Sequence, residues 1–274
     1  MSNREHQLML ETLYSKNQLL PRVREEFIQG LPQSMVDTIT GLDALGIKDM
    51  FCLDALCQMA LHKRADVPTM VGLLRHYFDG DCQKTADALG ELVRNEFFIW
   101  NDSLRLFIVI YELTPAVWQS LEMFQYPLPM VIEPAELKTN LDNPYLTVEK
   151  KSVILNDNHH NGDVCLDHLN RMNKIRLKVN RDVVDTIHNS WKHLDKQRPG
   201  EDFGTFKKRQ RAFDKYDRTA RKVIDIITEH GNEFYLTHNV DKRGRTYCAG
   251  YHINHQGNSW NKAAILFANE EVTV

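Results

Sequence analysis

The sequence lacks the long hydrophobic run that a membrane-spanning helix needs and the paired cysteines that a disulfide-stabilised protein needs. No apolar run is longer than that of residues 106–111, which is far short of the roughly 20 residues that span a bilayer. The first ten residues are polar and contain no signal-peptide core. The five cysteines are odd in number and form no Cys-x-x-Cys pair, which favours reduced thiols. These absences predict a soluble cytoplasmic protein.

What the sequence does have is an ordinary globular composition with uneven charge. The chain has 274 residues, of which 42% are hydrophobic and 26% charged, enough to bury a sizeable core. Residues 1–165 carry 14 Lys and Arg against 23 Asp and Glu, whereas residues 166–274 carry 20 against 14. A basic C-terminal third is expected of a chain that binds a polyanion at one end, and uneven solvated helix faces would give the same counts. Charge alone leaves both interpretations open.

Hydrophobic spacing predicts helices over much of the chain. Apolar residues recur at helical intervals through the first ninety residues. Thr114 and Pro115 predict an N-cap and the first residue of a helix. Gly231 predicts the end of a long helix that begins near residue 205. The predicted helices cover about residues 50–62, 68–78, 84–93, 114–124, 164–194 and 205–230.

The middle of the chain predicts a β-hairpin and an irregular strap. Residues 96–100 and 104–111 are apolar and aromatic, and Asn101-Asp102-Ser103 between them is turn chemistry. A hairpin with a very short tip follows from this pattern. Three prolines between residues 127 and 134 predict an extended strap. The fold class predicted for the whole chain is mainly α with a small antiparallel β component, that is, α+β.

The most informative stretch lies between residues 234 and 267. Residues 234–238 and 246–251 predict two strands, joined by Asp241-Lys242-Arg243-Gly244-Arg245. A glycine between two arginines lets the backbone approach a bulky ligand while two guanidinium groups reach its phosphate oxygens. A charged turn with a glycine is also common by chance, so the motif alone is weak evidence. Downstream lie Tyr247, Asn254-His255-Gln256-Gly257-Asn258 and a predicted helix with Lys262.

In this order, these features resemble the single-subunit, phage-type RNA polymerases. In that family the motif stands at the start of the polymerase domain, and its arginines contact the template–transcript hybrid. Residues 123–134 are similar to the family's proline-rich strap, and residues 169–184 resemble the long helix of its N-terminal domain. The match covers roughly residues 97–274 and is specific from Asn232 onward. Lys242 stands where the family usually has an aromatic residue.

The resemblance implies a nucleic-acid-binding role for a set of basic residues. Arg243 and Arg245 would grip hybrid phosphates, with Gly244 allowing close approach, and Asp241 would orient one of the arginines. Such contacts are independent of base sequence, as a translocating polymerase requires. Lys262, Lys207, Lys208 and Arg211 would add charge along the nucleic-acid backbone, and Asp241, Tyr247, Gln256 and Asn258 would support the motif.

The resemblance also implies that the catalytic centre lies outside this sequence. Two-metal phosphoryl transfer needs carboxylates around a shared ion pair, and no Asp here falls in a matching motif. The chain is therefore expected to be a fragment or one half of a split enzyme. The second option is similar to the heterodimeric members of the family in Enquatro-type coliphages. A larger catalytic subunit would bind Mg²⁺, with none on this chain, and the pair would bind DNA template and RNA transcript in an infected bacterium's cytoplasm.

The predicted organisation has three segments. Residues 1–135 form a helical N-terminal domain with the hairpin, residues 136–231 the strap and long basic helices, and residues 232–274 the first strands of the polymerase palm. In the family the hairpin wedges into the promoter. Here a three-residue tip without an apolar side chain, and with Asp102 repelled by phosphates, predicts poor opening of duplex DNA. A helper protein that exposes a single strand or recruits the enzyme is therefore expected.

Two other functions use parts of the same pattern. A stand-alone nucleic-acid-binding transcription regulator would also need the basic third. The apolar segment 263–268 favours a surface for a partner instead. A structural virion protein has no positive feature in its favour.

Two local clusters contain metal-ligand chemistry. His159, His160, Cys165 and His168 could bind zinc, but their spacing matches no common zinc site. Asp79-Gly80-Asp81 is predicted to be a plain turn, because Asp and Gly are favoured there.

Overall fold

A computed structural model of the chain describes residues 1–16, 18–149, 152–156 and 158–269. Short antiparallel strands accompany the helices in these residues, which confirms the α+β class. None of the helices in the described ranges combines the length and apolarity that crossing a membrane requires. The helices are α1 (Asn3–Lys16), α2 (Leu19–Gly30), α3 (Gln33–Asp43), α4 (Asp49–His62), α5 (Val67–Leu74), α6 (Cys82–Arg94), α7 (Pro115–Phe124), α8 (Leu166–Asn173), α9 (Arg181–Thr186), α10 (Phe203–Ile227) and α11 (Ser259–Ala263). The strands are β1 (Arg64–Ala65), β2 (Phe98–Asn101), β3 (Leu106–Val109), β4 (Leu177–Val179), β5 (His238–Val240), β6 (Thr246–Cys248) and β7 (Ile265–Phe267).

The chain forms two compact units. One is Asn17–Leu121, and the other joins Met1–Lys16 to Glu122–Val274. Helix α1 belongs to the second unit, because its Leu10 lies in that unit's core. The three functional segments 1–135, 136–231 and 232–274 stay predictions. The last five residues of the predicted palm segment, 270–274, lie outside the described residues.

The Asn17–Leu121 unit is built around α4, which is buried on nearly all sides. Phe51 and Leu56 are fully buried there, and β1, β3 and β2 form a three-stranded antiparallel sheet in that order. The residue types of Asp79-Gly80-Asp81 predict a turn, and the structure has a turn there. The carboxylate of Asp81 accepts hydrogen bonds from the N–H groups of Gln83 and Lys84, both at 3.0 Å, and begins α6.

The predicted hairpin is confirmed, but its tip is longer and differs in chemistry. Asn101 pairs with Leu106, so the loop has four residues, 102–105. The Asn101 side chain accepts a hydrogen bond from the N–H of Leu104 at 2.9 Å. This bond keeps Leu104 in the turn, so β3 begins only at Leu106. Leu104 is 58% exposed. The expectation of a tip without an apolar side chain is therefore wrong.

The helix predicted over residues 164–194 is also wrong. The structure has α8, β4 and α9 in its place, followed by irregular chain up to α10. Leu177 and Val179 are buried and alternate with Lys178, a period of two that suits a strand. They pair with β7, so tertiary pairing overrides the local helical spacing. Residues 169–184 consequently form no long helix.

The elements around the arginine motif follow the predicted order with shorter strands. Phe234 and Tyr235 make only isolated bridges, to Leu177 and Met130. Extended pairing begins at β5, which pairs with β6. The α7, α10 and α11 helices lie where the sequence predicts helices. The core of this unit includes Val223, Ile224, Ile227, Phe234, Leu236 and Trp260.

Candidate nucleic-acid interface

The arginine motif forms a closed turn between β5 and β6. The N–H of Asp241 donates to the carbonyl of Arg245 at 3.0 Å, and the N–H of Gly244 donates to the carbonyl of Asp241 at 2.9 Å. Gly244 has φ of +77°, a backbone region in which residues with a Cβ are strained. The glycine is therefore required by the turn itself.

One carboxylate organises this turn. Asp241 Oδ1 accepts the N–H groups of Arg243 at 2.8 Å and Arg245 at 3.1 Å. Its Oδ2 accepts Nε of Arg245 at 2.7 Å and the hydroxyl of Tyr247 at 3.3 Å. Burial favours the neutral acid, but the hydrogen bonds from Arg245 and Arg243 outweigh it and lower the pKa of Asp241 to about 2. Asp241 therefore stays ionised and orients Arg245.

The two arginines of the turn differ in their freedom. Arg245 makes an ion pair with Asp241, with Nη2 2.6 Å from Oδ2, and keeps 59% of its side chain exposed. Arg243 is exposed, and its guanidinium has no hydrogen bond or ion pair to another residue in the described part of the chain. An incoming anion can therefore use all five N–H donors of Arg243 but only those of Arg245 that Asp241 leaves.

The segment after β6 is held by side-chain amides. Gln256 accepts the N–H of Cys248 at 2.9 Å and donates to the carbonyl of Thr246 at 3.0 Å, which extends the pairing of β6. Asn258 accepts the N–H of Asn261 at 2.8 Å and begins α11. Gln256 and Asn258 thus stabilise the chain that follows the arginine turn. Lys262 follows on α11 and is exposed.

The long helix α10 carries a continuous basic stripe. Its basic residues 208, 211, 215, 218 and 222 alternate in steps of three and four, which places them on one helical face. Its buried residues, among them Phe206, Phe213, Ala220 and Ile227, occupy a different face. Lys207 is exposed and lies four residues before Arg211, at the border of the stripe. Its Nζ lies 3.0 Å from Oε1 of Gln210 and 5.5 Å and 5.8 Å from the centres of two phenylalanine rings. All three basic residues proposed as phosphate ligands on α10 are in the helix, and their binding to phosphate stays a prediction.

Several other cations near the stripe serve the fold. Arg209 makes two hydrogen bonds to Glu201, at 2.9 and 2.7 Å. These bonds, with one from the Arg198 N–H, lower the pKa of Glu201 to about 2. Arg221 pairs with Asp217 at 3.0 Å. Lys215, on the stripe, forms an ion pair with Glu122. The charge available to a ligand is therefore smaller than the sequence count.

A group of metal-ligand side chains lies at the base of the arginine turn. His238 on β5, Cys248 on β6 and His255 in the following loop have ligand atoms within 4.8 Å of one another. Burial, together with the neighbouring His255, lowers the pKa of His238 to about 4. The sequence reading missed this group, although His238 and Cys248 are equidistant from the centre of a hairpin turn and so face each other.

The predicted zinc candidates do not gather in this way. His159 contacts Ser152 and Asn161 at 3.1 and 3.2 Å, and His160 accepts the N–H of Gly162 at 3.2 Å. Cys165 is exposed at the start of α8. In the part of the chain that the structure describes, these residues form no metal-ligand group.

No family model matches the chain, and no curated protein matches it.

Proposed function

We propose that the chain is a non-catalytic subunit of a split, phage-type DNA-directed RNA polymerase. It would bind the template and the RNA–DNA hybrid and complete the fold of a larger catalytic subunit. One observation carries this proposal: a single ionised carboxylate, Asp241, shapes a turn that exposes two arginines and orients one of them. This arrangement suits phosphate oxygens.

The turn and the basic stripe support phosphate binding without base recognition. Arg243 would form a two-point contact with one phosphate, and Arg245 would offer its remaining N–H groups to a neighbour. Lys262 and the stripe with Lys208 and Arg211 would add contacts along the strand. Contacts of this kind position a nucleic acid in any sequence, which a moving polymerase requires.

The partner in this proposal follows from the family resemblance. The larger subunit would hold the aspartates that bind two Mg²⁺ ions, and those ions would stabilise the attacking and leaving oxygens during nucleotide addition. Exposed apolar side chains on β7, Leu266 at 41% and Phe267 at 66%, support a protein partner. The pair would act in the cytoplasm of an infected bacterium.

The test is capture of the tagged chain from infected cells, followed by an extension assay. The captured complex is expected to extend an RNA primer on single-stranded DNA with Mg²⁺, even when the host's multisubunit RNA polymerase is inhibited. The purified chain alone is expected to add no nucleotides. A tagged Arg243→Ala chain should capture the same partner and release the template at lower salt.

Two outcomes would reject the proposal. Extension by the purified single chain would place catalysis on this sequence. Extension that disappears with the host polymerase inhibitor would favour a stand-alone regulator that travels with the host enzyme. The mass of the captured partner is measured independently of activity. A loss of activity in the Arg243→Ala complex can therefore be distinguished from a failure of the two chains to assemble.

A further inference from the structure

The β5–β6 hairpin brings together three side chains that bind transition metals. His238 and Cys248 lie opposite each other in the strand pairing, and the loop after β6 brings His255 next to them. Nε2 of His238 lies 2.8 Å from Nε2 of His255, and one ligand atom of each of the three residues lies within 4.8 Å of the others. Imidazole nitrogen with thiolate sulfur is a donor set typical of zinc sites.

The three ligand atoms, all within 4.8 Å of one another, are near enough for one tetrahedral ion to draw them together. Zinc bonds of 2.0–2.1 Å to nitrogen and about 2.3 Å to sulfur place ligand nitrogens roughly 3.3 Å apart and nitrogen and sulfur roughly 3.6 Å apart. The two facing nitrogens, 2.8 Å apart, can share only one proton. A cation can replace that proton with a small outward movement of the rings.

Asn173 prepares His238 for this role. The amide oxygen of Asn173 lies 2.9 Å from Nδ1 of His238, and because that oxygen can only accept, Nδ1 carries the proton. Nε2 is then left with a free lone pair directed at His255. An outer hydrogen bond that sets the tautomer in this way accompanies most metal-binding histidines. Asn173 is only 1% exposed.

The surroundings of Cys248 favour its thiolate once a cation is present. Burial raises the pKa of the Cys248 thiol to about 11, even though hydrogen bonds from the backbone N–H groups of Gly250 and His255 lower it in part. A bound metal ion deprotonates a coordinating thiol outright. These N–H groups would then stabilise a metal-bound sulfur.

We propose that His238 Nε2, His255 Nε2 and Cys248 Sγ bind one Zn²⁺ or a similar transition-metal ion. The two imidazoles line a cavity of about 450 Å³ that Lys262 also borders, so a water or an anionic oxygen from this cavity would complete the coordination. The ion would join β5, β6 and the loop that carries Gln256 into one rigid base for the arginine turn. This site is independent of the proposed polymerase function.

The test uses the full chain, treated with a chelator and then titrated with Co²⁺ and Zn²⁺. One Co²⁺ per chain is expected, with a thiolate-to-cobalt charge-transfer band that Zn²⁺ removes and a higher melting temperature in the presence of metal. Cys248→Ser should abolish the band. Asn173→Ala should lower the affinity by about 10–100-fold, the usual effect of losing an outer hydrogen bond.

Cys165→Ser is the matched control, because Cys165 is an exposed free thiol in the other candidate cluster. It should leave the band and the affinity unchanged. His255→Gln removes the second, partly exposed histidine ligand. Circular dichroism verifies that each variant is folded. The proposal is overturned if the folded wild-type chain binds no stoichiometric metal, or if the charge-transfer band survives in folded Cys248→Ser.

Discussion

At the scale of single residues, the arginine turn separates two kinds of cation. Arg245 is committed in part to Asp241, whereas the guanidinium of Arg243 has no partner among the described residues. The carboxylate therefore shapes the turn without neutralising all of its charge. The consequence is a measurable difference between the two positions.

Arg243→Ala should remove about one phosphate contact with an RNA–DNA hybrid. Its plot of log affinity against log salt should flatten by about 0.7–0.9. Arg245→Ala should flatten the plot similarly and weaken binding more at low salt, because it leaves the Asp241 charge unpaired near the phosphates. Fluorescence anisotropy over a salt series measures both.

Arg171→Ala is the control for these variants, since Arg171 is an exposed arginine, paired with Asp167, in the same unit. Its affinity and slope should equal those of the wild type. If all three variants show the wild-type slope, the turn does not bind phosphate.

Glu201 gives a prediction for acid. Its pKa in the folded chain is about 2, against an ordinary value of 4.5, because of hydrogen bonds from Arg209 and from the Arg198 N–H. When folding lowers the pKa of a carboxyl group, the resulting stabilisation is fully present above the pKa of the unfolded chain. It is lost as the pH falls through the pKa of the folded chain. The stability difference between wild type and Glu201→Gln should therefore shrink from about pH 4.5 toward pH 2. Urea unfolding across that range measures the difference, and a constant difference would contradict the prediction.

At the scale of secondary-structure elements, α1 is attached to the second unit by a buried carboxylate. Glu11 accepts hydrogen bonds from the N–H groups of Leu146, Thr147 and Val148, at 2.9, 2.6 and 3.2 Å, and from the side chain of Gln7 at 2.8 Å. Burial opposes its ionisation, but the bonds from Leu146, Gln7 and Thr147 outweigh burial and lower its pKa. Through Glu11, α1 thus supplies the hydrogen-bond acceptor for the backbone N–H groups of residues 146–148.

Glu11→Gln should lower the free energy of unfolding by about 1–3 kcal/mol, because an amide NH₂ would face backbone donors that then lack an acceptor. Glu136→Gln, at an exposed position of the same unit, should change it by less than about 0.5 kcal/mol. Urea denaturation of both variants measures the two effects. Equal small losses would show that Glu11 does not hold α1.

The same scale explains which elements the sequence predicts. Caps and periodicity are local, so Thr114 predicts the start of α7 and the amphipathic spacing predicts α10. Strand β4 depends on β7, since Leu177 pairs with Phe267, and no window around residue 177 contains that information. The helical spacing there consequently predicts the wrong element.

The candidate site divides in a similar way. The connection between the two strands at residues 241–245 is predicted from adjacent residues, and the resemblance implies that Asp241 orients one arginine; the several backbone N–H groups that Asp241 accepts appear only in the structure. The metal-ligand group needs the β5–β6 register and the return of the loop at His255, so counting donors along the chain selects residues 159–168 instead.

At the scale of the whole molecule, the proposed enzyme should prefer templates that are already open. The hairpin loop has only four residues, and unstacking DNA requires roughly 1.4 kcal/mol per step. Run-off transcription by the captured complex should be stronger on single-stranded and bubble templates than on the same duplex. A helper that exposes a single strand should raise the duplex signal.

The exposed Leu104 provides the opposing test. Leu104→Ser should leave the order of the three templates unchanged. Efficient initiation on intact duplex that falls selectively in Leu104→Ser would identify the leucine as a wedge and would contradict the preference for open templates.

The placement of α1 also determines the order in which the chain can fold. His6 on α1 donates a hydrogen bond to the carbonyl of Ile226, 220 residues away. The core of the unit Asn17–Leu121, in contrast, is formed by residues from within that range. During synthesis, this inner unit is complete before the ribosome has made the residues that α1 needs. Contacts of such long sequence separation slow folding. In refolding experiments, the inner unit should therefore form in an early phase, and the docking of α1 should mark the last one.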